Sequence, residues 1–182
     1  MKVLVAVASR HGSTIEIGEV IASTLRSSGM EVDMSRIEDV ASLHGYDAFI
    51  LGSGVYAGHW LRPAREFVDR HEAALAQRPV WLFSSGPVGD PPTPLENPAE
   101  VVAVAKRVAS LGHRLFAGKI ESDDLGIAEK ALVKLVRAPA GDFRPWSEIA
   151  VWAEVIAAEL KQSATDHQTP AADTDRPEAA TA

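Results

Sequence analysis

The strongest chemical signal in the chain is Ser9-Arg10-His11-Gly12-Ser13-Thr14. It separates the apolar run Val3 to Ala8 from a stretch in which Ile17, Val20, Ile21 and Leu25 share one helical face. A helix start has backbone N–H groups without intrahelical acceptors and the positive end of a dipole, and both favour an anion. Ser9, Ser13 and Thr14 add hydroxyl donors, and Gly12 permits a tight backbone path. The spacing matches neither G-x-x-x-x-G-K-[ST] nor G-x-G-x-x-G, so a nucleoside triphosphate and a dinucleotide both fit it poorly. A terminal monophosphate fits better. Taken alone, the hexapeptide reads equally well as a capped strand-to-helix turn with no ligand.

Two further segments are expected at the same edge. The run Ala48 to Leu51 leads into Gly52, Ser53, Gly54, Val55, Tyr56, Ala57, Gly58, His59 and Trp60. Glycines let backbone amides approach a ring edge, and Tyr56 or Trp60 could stack on a flat conjugated face; the plainer reading is a hydrophobic plug. The run Val80 to Phe83 leads into Ser84, Ser85, Gly86, Pro87, Val88 and Gly89, a third small, turn-rich segment. Three such segments would enclose one ligand.

Other chemistries find less support. With no cysteine, disulfides, thiolate metal sites and thiol redox chemistry are impossible, so any electrons must ride on a cofactor. His11, His44, His59, His71, His113 and His167 lack metal-ligand spacing, and no metal is expected. His59 is placed to act as a general base, but a hydrogen-bonded loop histidine is the plainer reading. No Ser/His/Asp arrangement points to hydrolysis. A net charge of -7 argues against nucleic acid, which is bound through basic residues. No apolar run is long enough to span a bilayer, and Val3 to Ala8 is too short for a signal-peptide core, so a cytoplasmic location is expected.

The elements that must hold these segments follow from periodicity. Val3 to Ala8, Ala48 to Leu51 and Val80 to Phe83 read as buried parallel strands, Glu31 to Ile37 as an edge strand, and Arg114 to Ile120 as a fifth. Between them Ala64, Phe67, Val68 and Leu75 repeat at helical spacing. Asn97, Pro98 and Glu100 form a helix-start signature before Val101, Val104, Ala105 and Val108, and Ser147 precedes Ile149, Trp152, Ala153, Ile156 and Leu160. Right-handed crossovers then place helices on both faces of a parallel sheet, a doubly wound α/β domain over residues 1–161. Residues 162–182 lack large apolar side chains and read as a disordered tail carrying Asp166, Asp173, Asp175 and Glu178 against Arg176.

Ser9, Gly12 and Thr14 after an apolar strand resemble the FMN-phosphate signature of the flavodoxins, with Val7 and Gly18 in place of that signature's usual aromatic and alanine. Tyr56-Ala57-Gly58-His59-Trp60 followed by Glu66-Phe67-Val68 is similar to the flavodoxin subgroup containing the quinone-dependent protoporphyrinogen IX dehydrogenases. The insertion from Glu121 to Pro145, with Leu125, Ala128, Leu132, Leu135 and Val136 at helical spacing, also resembles that subgroup. The resemblance implies five parallel strands in the order 2-1-3-4-5, with FMN at the switch point. FMN would be held by Ser9 to Thr14, Ser53 to Gly58 and Ser84 to Val88.

The implied function is electron transfer through flavin, to a redox partner protein or from a small reduced substrate. Two alternatives stand beside it: a protoporphyrinogen IX dehydrogenase of heme biosynthesis, and a flavodoxin-like binding module without cofactor. The subgroup's long loop after strand four is basic, whereas Gly86 to Asn97 here carries Asp90 and Glu96 and no Lys or Arg. Lys130, Lys134 and Arg137 in the insertion read as a solvated face, so peripheral membrane contact is not expected.

Overall fold

The computed structural model describes residues 1–86, 99–120 and 141–166. Strand and helix alternate through β1 (Lys2–Ala8), α1 (Ser13–Ser27), β2 (Glu31–Arg36), β3 (Ala48–Tyr56), β4 (His59–Trp60), α2 (Arg62–Leu75), β5 (Val80–Ser85) and α3 (Ala99–Arg107). Then come β6 (Gly112–Phe116), β7 (Lys119–Ile120), β8 (Gly141–Asp142) and α4 (Trp146–Asp166). The main sheet runs β2-β1-β3-β5-β6 with parallel neighbours. Leaving aside β4, a two-residue antiparallel addition to β3, these are the five strands in the expected order.

Strand alternation decides which helices cover which face. Val3, Val5 and Val7 pack with Ile17, Ile21 and Leu25 of α1 and Ile149, Trp152 and Ile156 of α4. Leu4, Ala6 and Ala8 pack on the opposite face with Phe67 and Val68 of α2 and Val101 and Val104 of α3. Both faces of β1 are therefore dry, which is why it reads as an unbroken apolar run.

The structure departs from the sequence expectation in six places. Strand β3 continues through Gly52-Ser53-Gly54 to Tyr56, so Gly52 lies in the sheet rather than in a ligand loop. A Cβ on Gly52 would stand 2.0 Å from the ring of Phe83, so glycine there makes room for a core aromatic. The expected loop to Trp60 is a tight hairpin, with Ala57 and Gly58 both left-handed at φ 50 and 81, the geometry of a type I′ turn, and Tyr56 paired with His59. Trp60 is 2% exposed in the core and does not stack at the surface.

The run Arg114 to Ile120 divides. Its first part lies in β6, whereas β7 pairs with β8 in a separate two-stranded ribbon. Helix α4 overruns the expected start of the tail and ends at Asp166, with Ser163 and Thr165 hydroxyls donating back to Glu159 and Lys161 carbonyls. Glu100 lies in α3, but its carboxylate reaches across to accept from the Trp60 N–H at 3.0 Å, so it binds the hairpin to the helix. The expectations for Asn97 and Pro98, the inserted segment 121–140 and the tail 167–182 lie outside the described residues.

Replacing Gly52 with alanine should lower stability by about 1–3 kcal/mol, because the aromatic ring it would strike is itself fully buried. Denaturant midpoints of wild type and G52A measure this, and an unchanged midpoint would contradict the packing described.

Candidate functional site at the carboxyl edge of the sheet

Strands β1, β3 and β5 end side by side, with Ala8 opposite Ser53 and Ser53 opposite Ser84. From β1 the chain turns through Ser9 to Gly12 into α1. Gly12, the residue before the helix, is left-handed at φ 85 and makes no side-chain cap. A Cβ there would meet nothing within 4 Å, so the space in front of the helix start is open. The Gly12 carbonyl accepts from Ile15 and Glu16, and the Ser9 hydroxyl accepts from the Gly12 N–H at 3.0 Å. The loop thus satisfies part of its own backbone and leaves the first helical turn for an incoming acceptor.

Thr14 is 3% exposed on the side facing β3. A Cβ on Gly54 would lie 3.4 Å from the Thr14 hydroxyl and 3.2 Å from the Tyr56 ring, so the absent side chain at Gly54 lets the first loop and β3 meet. Tyr56 is exposed at 38%, and the Arg10 guanidinium lies 4.8 Å from its ring centroid. A flat ligand on Tyr56 therefore uses the other face of the ring or displaces Arg10. Ala57 and Gly58 form the exposed tip of the hairpin. Gly86 packs against the backbone of Val55, and Gly118 lies against Gly86 in turn. The three sequence segments therefore meet at one edge; Pro87 and Val88 lie outside the described residues.

The hydroxyls at this edge divide by task. Ser53 is fully buried, donating to the Gly54 carbonyl at 2.9 Å and accepting from the Leu61 N–H at 3.0 Å, which ties the hairpin to the sheet. Ser84, also fully buried, accepts from Trp60 Nε1 at 2.8 Å and lies 2.9 Å from His113 Nε2. Any ligand contact from Ser53 or Ser84 must therefore come through the backbone. Ser85 is buried beside Gly54 and Phe116. His59 points to Glu100, with Nδ1 at 3.2 Å from the carboxylate.

Sequence reasoning missed two arginines. Arg36, at the end of β2, donates to the Ser9 carbonyl at 3.1 Å, and Arg144, just after β8, donates to the Ser13 carbonyl at 3.0 Å. No local pattern marks either, since each reaches the loop from 27 or 131 residues away. Arg144 also holds Asp142, whose carboxyl is kept below its usual pKa by that hydrogen bond.

An uncapped helix start, an open left-handed glycine, a buried threonine hydroxyl and a neighbouring aromatic fit a phosphate joined to a flat ring. A family profile described as Flavodoxin domain matches residues 4–145. The chain belongs to the flavodoxin family. An archaeal flavodoxin superposes with a TM-score of 0.63 at 20% identity, covering 88% of this chain and 99% of that one. Oxidised flavodoxin 2 from Bacillus cereus gives 0.59 at 25% identity, with the same coverage. These matches indicate FMN as the cofactor. The protoporphyrinogen IX dehydrogenase [quinone] of Escherichia coli K12 is 29% identical over 102 residues, 53% of this chain and 56% of that protein. The chain thus spans about half the length of the curated relatives it matches. Among the described residues no helix is long and apolar enough to cross a membrane, and no His, Asp and Glu gather to hold a metal ion.

Burial lowers the His113 pKa from 6.5 to about 4. With Trp60 donating to Ser84, the Ser84 proton is available to His113 Nε2, and a protonated ring abolishes that arrangement. The unfolded chain takes up the proton near pH 6.5 and the folded chain only near pH 4, so stability is intact above 6.5 and declines as pH falls between the two. His113→Gln, which keeps an acceptor but does not titrate, should flatten this part of the curve. Melting temperatures at pH 7.5, 6 and 5 measure it, and parallel curves for wild type and H113Q would refute the role given to His113.

Proposed function

We propose that this flavodoxin-family protein transfers electrons through FMN, with the phosphate in the turn from β1 to α1 and the ring between the hairpin and the end of β5. The reading rests on the open helix start at Gly12 beside the buried Thr14 hydroxyl, at the point where the strand order reverses on either side of β1 and β3. Backbone N–H groups of Ser13 and Thr14, with the Thr14 hydroxyl, are the donors for the phosphate. Tyr56 supplies an aromatic face, while Ala57, Gly58 and Gly86 bring backbone to the ring edge without side-chain bulk. Bound FMN supplies the electron-accepting chemistry, and the protein binds it, orients it and limits solvent around it. A cytoplasmic redox partner protein or a small reduced substrate completes the transfer.

A second reading is favoured by the 29% match to the Escherichia coli enzyme. In it, six hydrogens leave each porphyrinogen and three quinones are reduced to quinols, for which bound FMN would supply the redox chemistry. Anaerobic incubation with protoporphyrinogen and a menaquinone analogue separates the two. Fluorescent protoporphyrin forming only with both protein and quinone supports the dehydrogenase, and its absence leaves the simple carrier.

Purified or reconstituted protein should show flavin absorbance and should quench added FMN fluorescence at one equivalent. Thr14→Val should weaken FMN by about tenfold, the worth of one hydrogen bond to a charged acceptor, while riboflavin, which has no phosphate, should be affected far less. Protein that neither retains nor quenches FMN would refute the proposal.

A further inference from the structure

The turn from β1 to α1 is held at both ends by guanidinium groups. Arg36 Nη2 donates to the Ser9 carbonyl, and Arg144 Nη1 donates to the Ser13 carbonyl. Arg144 is the more firmly built of the two, with a side chain only 2% exposed. Its Nε and Nη2 donate to the two carboxylate oxygens of Asp142 at 2.8 and 2.7 Å, its Nη1 lies 2.8 Å from Glu16, and its guanidinium lies 4.3 Å from the Trp146 ring centroid. A planar fork with five donors suits this multiple grip, and a lysine could not reproduce it.

Peptide geometry gives these bonds a consequence. In a planar trans peptide the carbonyl of one residue and the N–H of the next point in opposite directions. The Ser9 carbonyl shares its peptide with the Arg10 N–H, and the Ser13 carbonyl shares its peptide with the Thr14 N–H. Drawing each carbonyl toward an arginine turns the paired N–H to the opposite side, away from that arginine. We propose that Arg36 and Arg144 are positioning residues that clamp this turn and preset its amides for a phosphate, so that the anion is gripped without reorganising the loop. The proposal rests on the FMN reading above.

Charge gives Arg144 a second task. Glu16, in the first turn of α1, and Asp142 set two carboxylates beside the helix start, where a phosphate would be repelled. Arg144 pairs with both, and its removal would leave two negative charges facing a third ionic group. That repulsion would be weakened by salt.

The test compares FMN with riboflavin, which presents the same ring without phosphate. Dissociation constants by fluorescence quenching are measured for wild type, Arg144→Gln, Arg144→Lys and Arg36→Gln. FMN affinity should fall by about tenfold or more in R144Q and R36Q, while riboflavin affinity stays within about twofold of wild type. R144K should recover only part of the loss. Adding Glu16→Gln to R144Q, or raising the salt concentration, should recover part of FMN binding by reducing repulsion. In the apo-protein, inorganic phosphate should raise the melting temperature of wild type and not of R144Q or R36Q. Arg36 is exposed, so R36Q decides the question by the same two ligands should R144Q fail to fold. Equal weakening of both flavins, or unchanged FMN binding, overturns the clamp. A wild-type protein that binds neither FMN nor inorganic phosphate overturns the FMN reading itself.

Discussion

Helix α1 lies so close to β1 that a Cβ at position 18 would stand 2.7 Å from a Val7 methyl and 2.9 Å from the Met34 methyl, so any residue larger than glycine there must push a neighbour aside. This contact fixes the height of the helix above the sheet and hence where its first turn opens. Gly12 then makes the reversal from strand to helix in a left-handed conformation, which a side chain would strain. Everything at the carboxyl edge is arranged around that opening. Val7 and Gly18, the two departures from the flavodoxin signature, face each other across this contact.

The same edge shows one residue type used in two ways. Ser53 and Ser84 look inward, one holding the hairpin and the other joining Trp60 to His113. Ser9 and Thr14 belong to the turn itself, where Ser9 closes the loop onto Gly12 and Thr14 faces Gly54. The inward serines tie the hairpin to β3 and join Trp60 to β5 and β6 at this edge. Buried hydroxyls of this kind are favourable only when their partners are all in place, which ties the site to the integrity of β5 and β6.

Much of the architecture was legible in the chain. Short apolar runs bounded by Ser and Gly marked the strands, because strands buried on both faces have no need to alternate. The hexapeptide after β1 was visible because a turn between strand and helix is a local structure with local residue requirements. The segment from Gly52 to Trp60 was harder. Its glycines and aromatics looked like a ligand loop, but Gly52 answers to Phe83 and Trp60 to Ser84, partners brought in by β5. Ala57 gave no sign of a left-handed turn, since alanine seldom adopts one.

Periodicity and the turn after the first strand are properties of neighbouring residues, so the amino-acid order alone was enough to specify an alternating α/β chain and to mark the turn from β1 to α1 as the candidate phosphate site. The handedness of the connections put helices on both faces of the sheet, and the order of the strands came from the flavodoxin resemblance. What waited for the folded chain was the assignment of polar groups to partners. Whether a serine meets solvent or a tryptophan, and whether an arginine on β2 or after β8 reaches the first loop, depends on packing between segments far apart in the chain. Such contacts leave no spacing to read, because their geometry exists only once the sheet has assembled.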